Sequence, residues 1–189
     1  MTEEKFNSDL NRTGELSKHV KFFESKETFK LSSGEKLNEI RLAYETYGKL
    51  NNEKTNAILV CHAISGDSHV ARHDKQDLPG WWDIMVGPGK SIDTDKYFVI
   101  CSNVIGGCSG STGPNSININ TGKEFGSSFP VVTIEDMVSA QKLLIDYFGI
   151  KKLLCVTGGS MGGFQSMQWS IQFPEKVESI IPIATSPRL

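Results

Sequence analysis

The residues Gly158-Gly159-Ser160-Met161-Gly162 frame a serine between glycines in the pattern G-x-S-x-G, which occurs once in this sequence. The spacing suits nucleophilic catalysis for a steric reason. A serine on a sharp strand-to-helix turn presents its hydroxyl clear of the backbone, and a side chain at either flanking glycine would collide with neighbouring main chain. The pattern needs an apolar strand before it and a helix after it. Both are present, in Leu153 to Val156 and in Met161 to Phe173. The positive end of that helix favours an oxyanion developing beside the serine. Ser160 is the predicted nucleophile, working through a covalent intermediate.

Other constellations are weaker. His69-x3-His73, with Asp67 and Asp74, has ligand-like spacing, but a polar loop of this composition is ordinarily solvated, and no metal is expected. Cys61 beside His62 resembles a thiol pair, yet adjacent strand residues point to opposite faces and cannot meet. Gly87-Pro88-Gly89-Lys90-Ser91 ends like a phosphate-binding loop. However, Ile84 stands where its first glycine is required, and no strand leads into it. Trp81-Trp82 reads as an aromatic pair that fixes a long loop.

The elements that must position Ser160 can be read outward from it. Val20 to Leu31 and Leu37 to Tyr47 read as two strands joined around Ser32-Ser33-Gly34-Glu35, the alternation Ile40, Leu42, Tyr44 predicting a half-buried strand. Ala57 to Cys61 is a continuous apolar run, as expected where helices cover both faces of a strand. Tyr97 to Cys101, Leu153 to Val156 and Ser179 to Ala184 are further strands, the last weakened by Pro182. Ala140, Leu143, Leu144, Tyr147 and Phe148 form one apolar stripe at helical spacing. Thr133 with Asp136 makes a capping box at its start, and Gly149 stands where a left-handed C-cap residue belongs. Two long glycine-rich connections, His62 to Lys90 and Asn103 to Phe129, are functional candidates by their length.

Alternation of helix and strand from Asp136 onward implies a mostly parallel sheet with flanking helices. With the serine turn, this is the α/β-hydrolase fold. In that fold the oxyanion is bound by two backbone N–H groups, one just after the nucleophile and one from the loop after an earlier strand. Here those are Met161 and, in the loop Cys61-His62-Ala63-Ile64-Ser65-Gly66, Ile64. Its triad runs Ser, then Asp or Glu, then His, but His19, His62, His69 and His73 all precede Ser160. None is the expected base. Glu175 and Glu178 lie too early to be the acid, so both acid and base are expected beyond Leu189.

The 189 residues are 38% hydrophobic and 22% charged, with a formal net charge of -2, so nothing marks a polyanion or membrane-surface partner. No apolar run is long enough to span a bilayer, and Met1 to Glu15 is polar and acidic, unlike a secretory signal. Four scattered cysteines, three inside strand-like runs, read as free thiols. A cytoplasmic protein is expected.

Cys61-His62-Ala63-Ile64-Ser65-Gly66-Asp67, Gly80-Trp81-Trp82-Asp83, Gly87-Pro88-Gly89-Lys90, Ser102-Asn103-Val104-Ile105-Gly106-Gly107-Cys108 and Gly158-Gly159-Ser160-Met161-Gly162-Gly163 are shared as a set with one family. From about Phe29 to Leu189 the chain resembles the homoserine O-acetyltransferases. The resemblance implies ping-pong transfer of an acetyl group from acetyl-CoA to L-homoserine, in methionine biosynthesis, with Ser160 as nucleophile. It implies no permanently bound cofactor and a homodimer. It also implies that residues 19–189, after a polar leader at 1–18, are the N-terminal part of an α/β-hydrolase domain, cut before a helical lid and the last strands. Ile64 replaces the usual leucine, and Phe164 replaces a smaller residue.

Overall fold

A computed structural model of the chain describes residues 16–187. The leader expected at 1–18 therefore lies almost wholly outside the described residues. Six strands make the main sheet: β1 (Lys21–Ser25), β2 (Ile40–Tyr47), β3 (Ala57–Cys61), β4 (Phe98–Ser102), β5 (Cys155–Gly159) and β6 (Ile180–Ile183). Their spatial order is β1-β2-β4-β3-β5-β6. The first two pairings are antiparallel and the remaining three parallel, as the helix–strand alternation predicts.

Strand interiors follow the apolar runs, and the differences lie at their ends. The first predicted strand ends early at Ser25, and Phe29–Lys30 pairs instead with Lys36–Leu37 in a small hairpin around the expected Ser32 to Glu35 turn. Leu153 makes only an isolated bridge to Val177, so β5 begins two residues late. It then runs on through Gly158 and Gly159. Glycine is a poor strand residue, but here it lets main chains approach closely. The connections are not bare either: Val86–Gly87 pairs with Ile92–Asp93, and Ile117–Asn118 with Lys123–Glu124.

Two helices cover one face of the sheet: α1 (Ile134–Tyr147) and α2 (Met161–Gln172). The Thr133 hydroxyl accepts the Asp136 N–H, and the Asp136 carboxylate accepts the Thr133 N–H at 2.9 Å, so both halves of the capping box form. That carboxylate also accepts the Ser32 N–H at 2.7 Å, tying the hairpin to the helix. At the other end Gly149 has φ 67°, and the Ile150 N–H reaches back to the Ile145 carbonyl.

The buried face of α1 is broader than the predicted stripe and turned from it. Val138, Gln141 and Ile145 are buried along with Ala140 and Leu144, while Tyr147 is exposed. Gln141 is tolerated there because it is fully bonded. Its carbonyl oxygen accepts the Trp169 indole N–H at 2.9 Å, and its amide donates to Gln165 Oε1 at 2.7 Å.

On the opposite face no helix is needed. Val70, Ala71, Val86, Trp81 and Trp82, all from the His62 to Lys90 segment, pack on Ile58, Val60, Val99 and Cys101. This cover also corrects the reading of β2 as half-buried. Seven of its eight residues are buried or partly so, and Glu45 is 0% exposed.

Candidate active site

Ser160 joins β5 to α2 with φ 55° and ψ -120°, a conformation that a residue with a side chain adopts only under constraint. The constraint is visible on both sides. Its N–H donates to the Ile183 carbonyl at 3.0 Å, and its own carbonyl accepts from Gly163 at 2.9 Å and Phe164 at 3.2 Å. Gly158 and Gly162 press against the end of β3. A Cβ on Gly158 would lie 2.3 Å from the Cys61 carbonyl oxygen, and one on Gly162 only 2.0 Å from it. The expected steric role of the two flanking glycines therefore holds. Gly159 meets nothing closer than 4.0 Å and is free of that constraint.

The Ser160 side chain is exposed and makes no hydrogen bond among the described residues. No histidine bonds to it. His62 bonds to Ala63 and Val104, while His69 and His73 bond to Glu45, so none stands as its base. Ile64 and Met161 line one groove of about 450 Å³ with Val104, Phe129 and Pro130. Neither of their N–H groups has an acceptor among the described residues. A free amide next to a hydroxyl at a helix N-terminus, with a second free amide on the same groove, is a donor set of the kind that holds developing negative charge. A second concavity of about 470 Å³, bordered by Arg41 and Asn118, includes none of these residues.

The rival constellations resolve differently. Asp67 and Asp74 cap local turns, through the N–H groups of His69 and of Gln76 and Asp77. The histidines converge instead on Glu45, which sequence reading missed. Glu45 Oε2 accepts the Tyr47 hydroxyl at 2.9 Å and faces His69 Nδ1 at 3.0 Å and His73 Nε2 at 2.7 Å. Glu45, His69 and His73 together also have the donor types of a metal site, but their spacings are those of hydrogen bonds. Glu45 and Tyr47, at i and i+2 on one strand, together with His69-x3-His73, were the available signal. Lys90 bonds the Asp83 carbonyl and carboxylate rather than standing free for phosphate. Trp81 and Trp82 stack at 5.6 Å, with the Trp81 N–H on the Asp67 carbonyl, fixing the loop as expected. Burial pushes the Cys61 thiol up to about 12, so it is not a thiolate rival to Ser160.

The Glu45 cluster gives a pH dependence of stability. Burial alone would raise the Glu45 carboxyl, but hydrogen bonds from His69 and His73 and the His69 charge outweigh it and hold the group at about 2. Burial would lower His69, but Glu45 and the Leu78 carbonyl, which accepts its Nε2–H at 2.9 Å, raise it above its ordinary 6.5. With a depressed folded value, Glu45 stabilises fully above its ordinary 4.5 and loses that contribution as pH falls toward 2. With a raised folded value, His69 stabilises fully below 6.5 and loses its contribution as pH climbs through the raised value. The pair is strongest between these limits. Thermal melting should peak in that window and fall on both sides, and Glu45→Gln should flatten both limbs. Matching pH profiles for variant and wild type would refute the assignment.

Residues 56–188 match the family described as the alpha/beta hydrolase fold. A homoserine O-acetyltransferase of Methanohalobium evestigatum is 62% identical over 168 residues, which is 88% of this chain and 34% of that protein. A solved homoserine O-acetyltransferase from Bacillus anthracis superposes with a TM-score of 0.78 at 39% identity, covering 87% of this chain and 46% of that one. A solved esterase gives 0.79 at 42% identity, covering 85% and 46%. The chain spans about a third to a half of the length of the curated relatives it matches. Among the described residues no helix is long and apolar enough to cross a membrane.

Proposed function

Because the chain belongs to the alpha/beta hydrolase fold family, we propose that it carries the nucleophile of an acyltransferase that moves an acetyl group from acetyl-CoA to L-homoserine through acetyl-Ser160. The observation that carries this reading is the strained turn that presents an unbonded Ser160 hydroxyl next to the free Met161 N–H, with Ile64, whose N–H is also free, lining the same groove as Met161. The names of the homoserine O-acetyltransferases that the chain resembles support an acetyl group as what is moved and homoserine as what receives it. The triad acid and base are proposed to come from outside residues 1–189, since no histidine here bonds Ser160 and the relatives are much longer. Residues 19–189 are then proposed as the N-terminal part of the domain.

Acetyl-CoA is the proposed co-substrate, with no permanently bound cofactor, in a homodimeric cytoplasmic enzyme. Three buried free cysteines, Cys61, Cys101 and Cys155, suit the reducing compartment this requires.

A second reading, ester hydrolysis, is favoured by the likeness to the solved esterase. The two differ in what attacks the acyl-enzyme. Incubating the full-length protein with acetyl-CoA and mapping peptides by mass spectrometry should find acetyl on Ser160. Adding homoserine should then yield O-acetylhomoserine faster than acetate. Acetyl on Cys61 or Cys155 with Ser160 bare would sink the nucleophile, and acetate alone would leave the hydrolase.

A further inference from the structure

His62 follows β3 directly, is 4% exposed, and has both ring nitrogens engaged. The Val104 N–H donates to Nε2 at 3.3 Å, and Nδ1 lies 2.7 Å from the Ala63 carbonyl oxygen. An amide can only donate and a carbonyl oxygen can only accept. One state satisfies both contacts: a neutral ring with its proton on Nδ1 and a lone pair on Nε2. Burial, which lowers the basicity of this ring despite the Ala63 hydrogen bond and the Asp67 charge, works in the same direction.

The Ala63 carbonyl is thereby held from two sides, by the His62 Nδ1–H and by the Gly66 N–H at 2.8 Å. No peptide bond among the described residues is cis. In a trans peptide the carbonyl and the following N–H point in opposite directions, so fixing the Ala63 oxygen fixes the Ile64 N–H the other way. Ile64, 82% exposed, lines the groove with Met161. The loop is also held from behind, because Gln165 Nε2 donates to the carbonyls of His62 at 3.4 Å and Met161 at 3.3 Å.

We propose that His62 is a positioning residue for acyl transfer: its Nδ1–H holds the Ala63–Ile64 peptide so that the Ile64 N–H faces the groove beside Ser160. The inference rests on the proposed role of Ile64 as an oxyanion donor. It gives the ring a defined task that its neighbourhood to Cys61 does not.

The test uses the full-length protein, with p-nitrophenyl acetate as acylating probe. Asparagine can place an amide donor where Nδ1–H stood, whereas glutamine places its amide near Nε2. His62→Asn should keep Ser160 acylation within about tenfold of wild type. His62→Gln and His62→Ala should lose about 10²-fold in the acylation rate constant, with little change in the apparent affinity for the ester, as for loss of one oxyanion donor. Equal losses for the Asn and Gln variants, or better rescue by Gln, would overturn the proposal. Imidazole ¹⁵N NMR supplies an independent reading, with the Nδ1–H tautomer expected for His62. An Nε2–H tautomer would overturn the proposal whatever the kinetics. An Nδ1–H ring in a wild-type protein that never acylates Ser160 would instead sink the nucleophile reading while upholding the hold on the peptide.

Discussion

Ser160→Ala in the full-length enzyme should lower acetyl transfer by roughly 10⁴- to 10⁶-fold, the scale seen when a serine nucleophile is removed. The fold should not notice. The hydroxyl is exposed and bonds to nothing among the described residues, so its removal leaves no buried partner unpaired. The strain of φ 55° stays, because alanine has a Cβ as serine does. Ser160→Gly separates the two effects. It should be equally inactive yet more stable than the alanine variant by about 1 kcal/mol, since glycine occupies this region without penalty. Turnover in Ser160→Ala above a hundredth of wild type would show that another group attacks the acyl donor. Equal melting temperatures for the alanine and glycine variants would show that the turn is not strained.

The largest expected effect on stability is that of Gly162→Val. Its Cβ would be placed 2.0 Å from the Cys61 carbonyl oxygen, 2.8 Å from the Cys61 carbonyl carbon and 3.2 Å from the His62 carbonyl oxygen. All three are main-chain atoms, and Cys61 cannot retreat, because it is paired with Gly158 in the sheet. Relief requires either moving the end of β3 or lifting the start of α2, and either breaks the site as well. A loss of about 4 kcal/mol or more is expected, within the exceptional range for one substitution. Activity should be lost with it. Gly159→Ala is the control, with no atom closer than 4.0 Å to the added carbon, and should cost about 1 kcal/mol or less. Denaturant titration of the two variants reads the contrast, and a Gly162→Val protein as stable as wild type would show that the turn does not press on β3.

How much of this was legible follows from the range of the interactions involved. The β3 strand announces itself because five consecutive apolar residues need cover on both faces. The ends of α1 are legible because Thr133, Asp136 and Gly149 act within one turn of themselves. The serine turn is legible because its steric requirement is written in glycines two positions away. Glu45 is not. Its burial is caused by a segment whose histidines stand 24 and 28 positions along the chain, and local alternation assigned it to solvent. Gln141 and Gln165 were missed for the same reason, since a polar residue on a buried face is explained only by its partner. The far end of β5 slipped because Gly158 serves close approach of main chain rather than strand preference.

The buried amides of Gln141 and Gln165 also bear on how such a sequence can drift. Trp169, Gln141, Gln165 and the His62 carbonyl are joined donor to acceptor in a single line from α1 to the loop that carries Ile64. Replacing any one side chain with an apolar residue strands its side-chain neighbours in a place without water, whereas replacing Trp169, Gln141 and Gln165 together with a packed apolar set leaves only the His62 main-chain carbonyl without its donor. Accepted changes at these positions should therefore arrive in concert, each unacceptable on the background that lacks the others. A helix with no residue at Ser160 would in this way share a history of substitution with the loop that faces it.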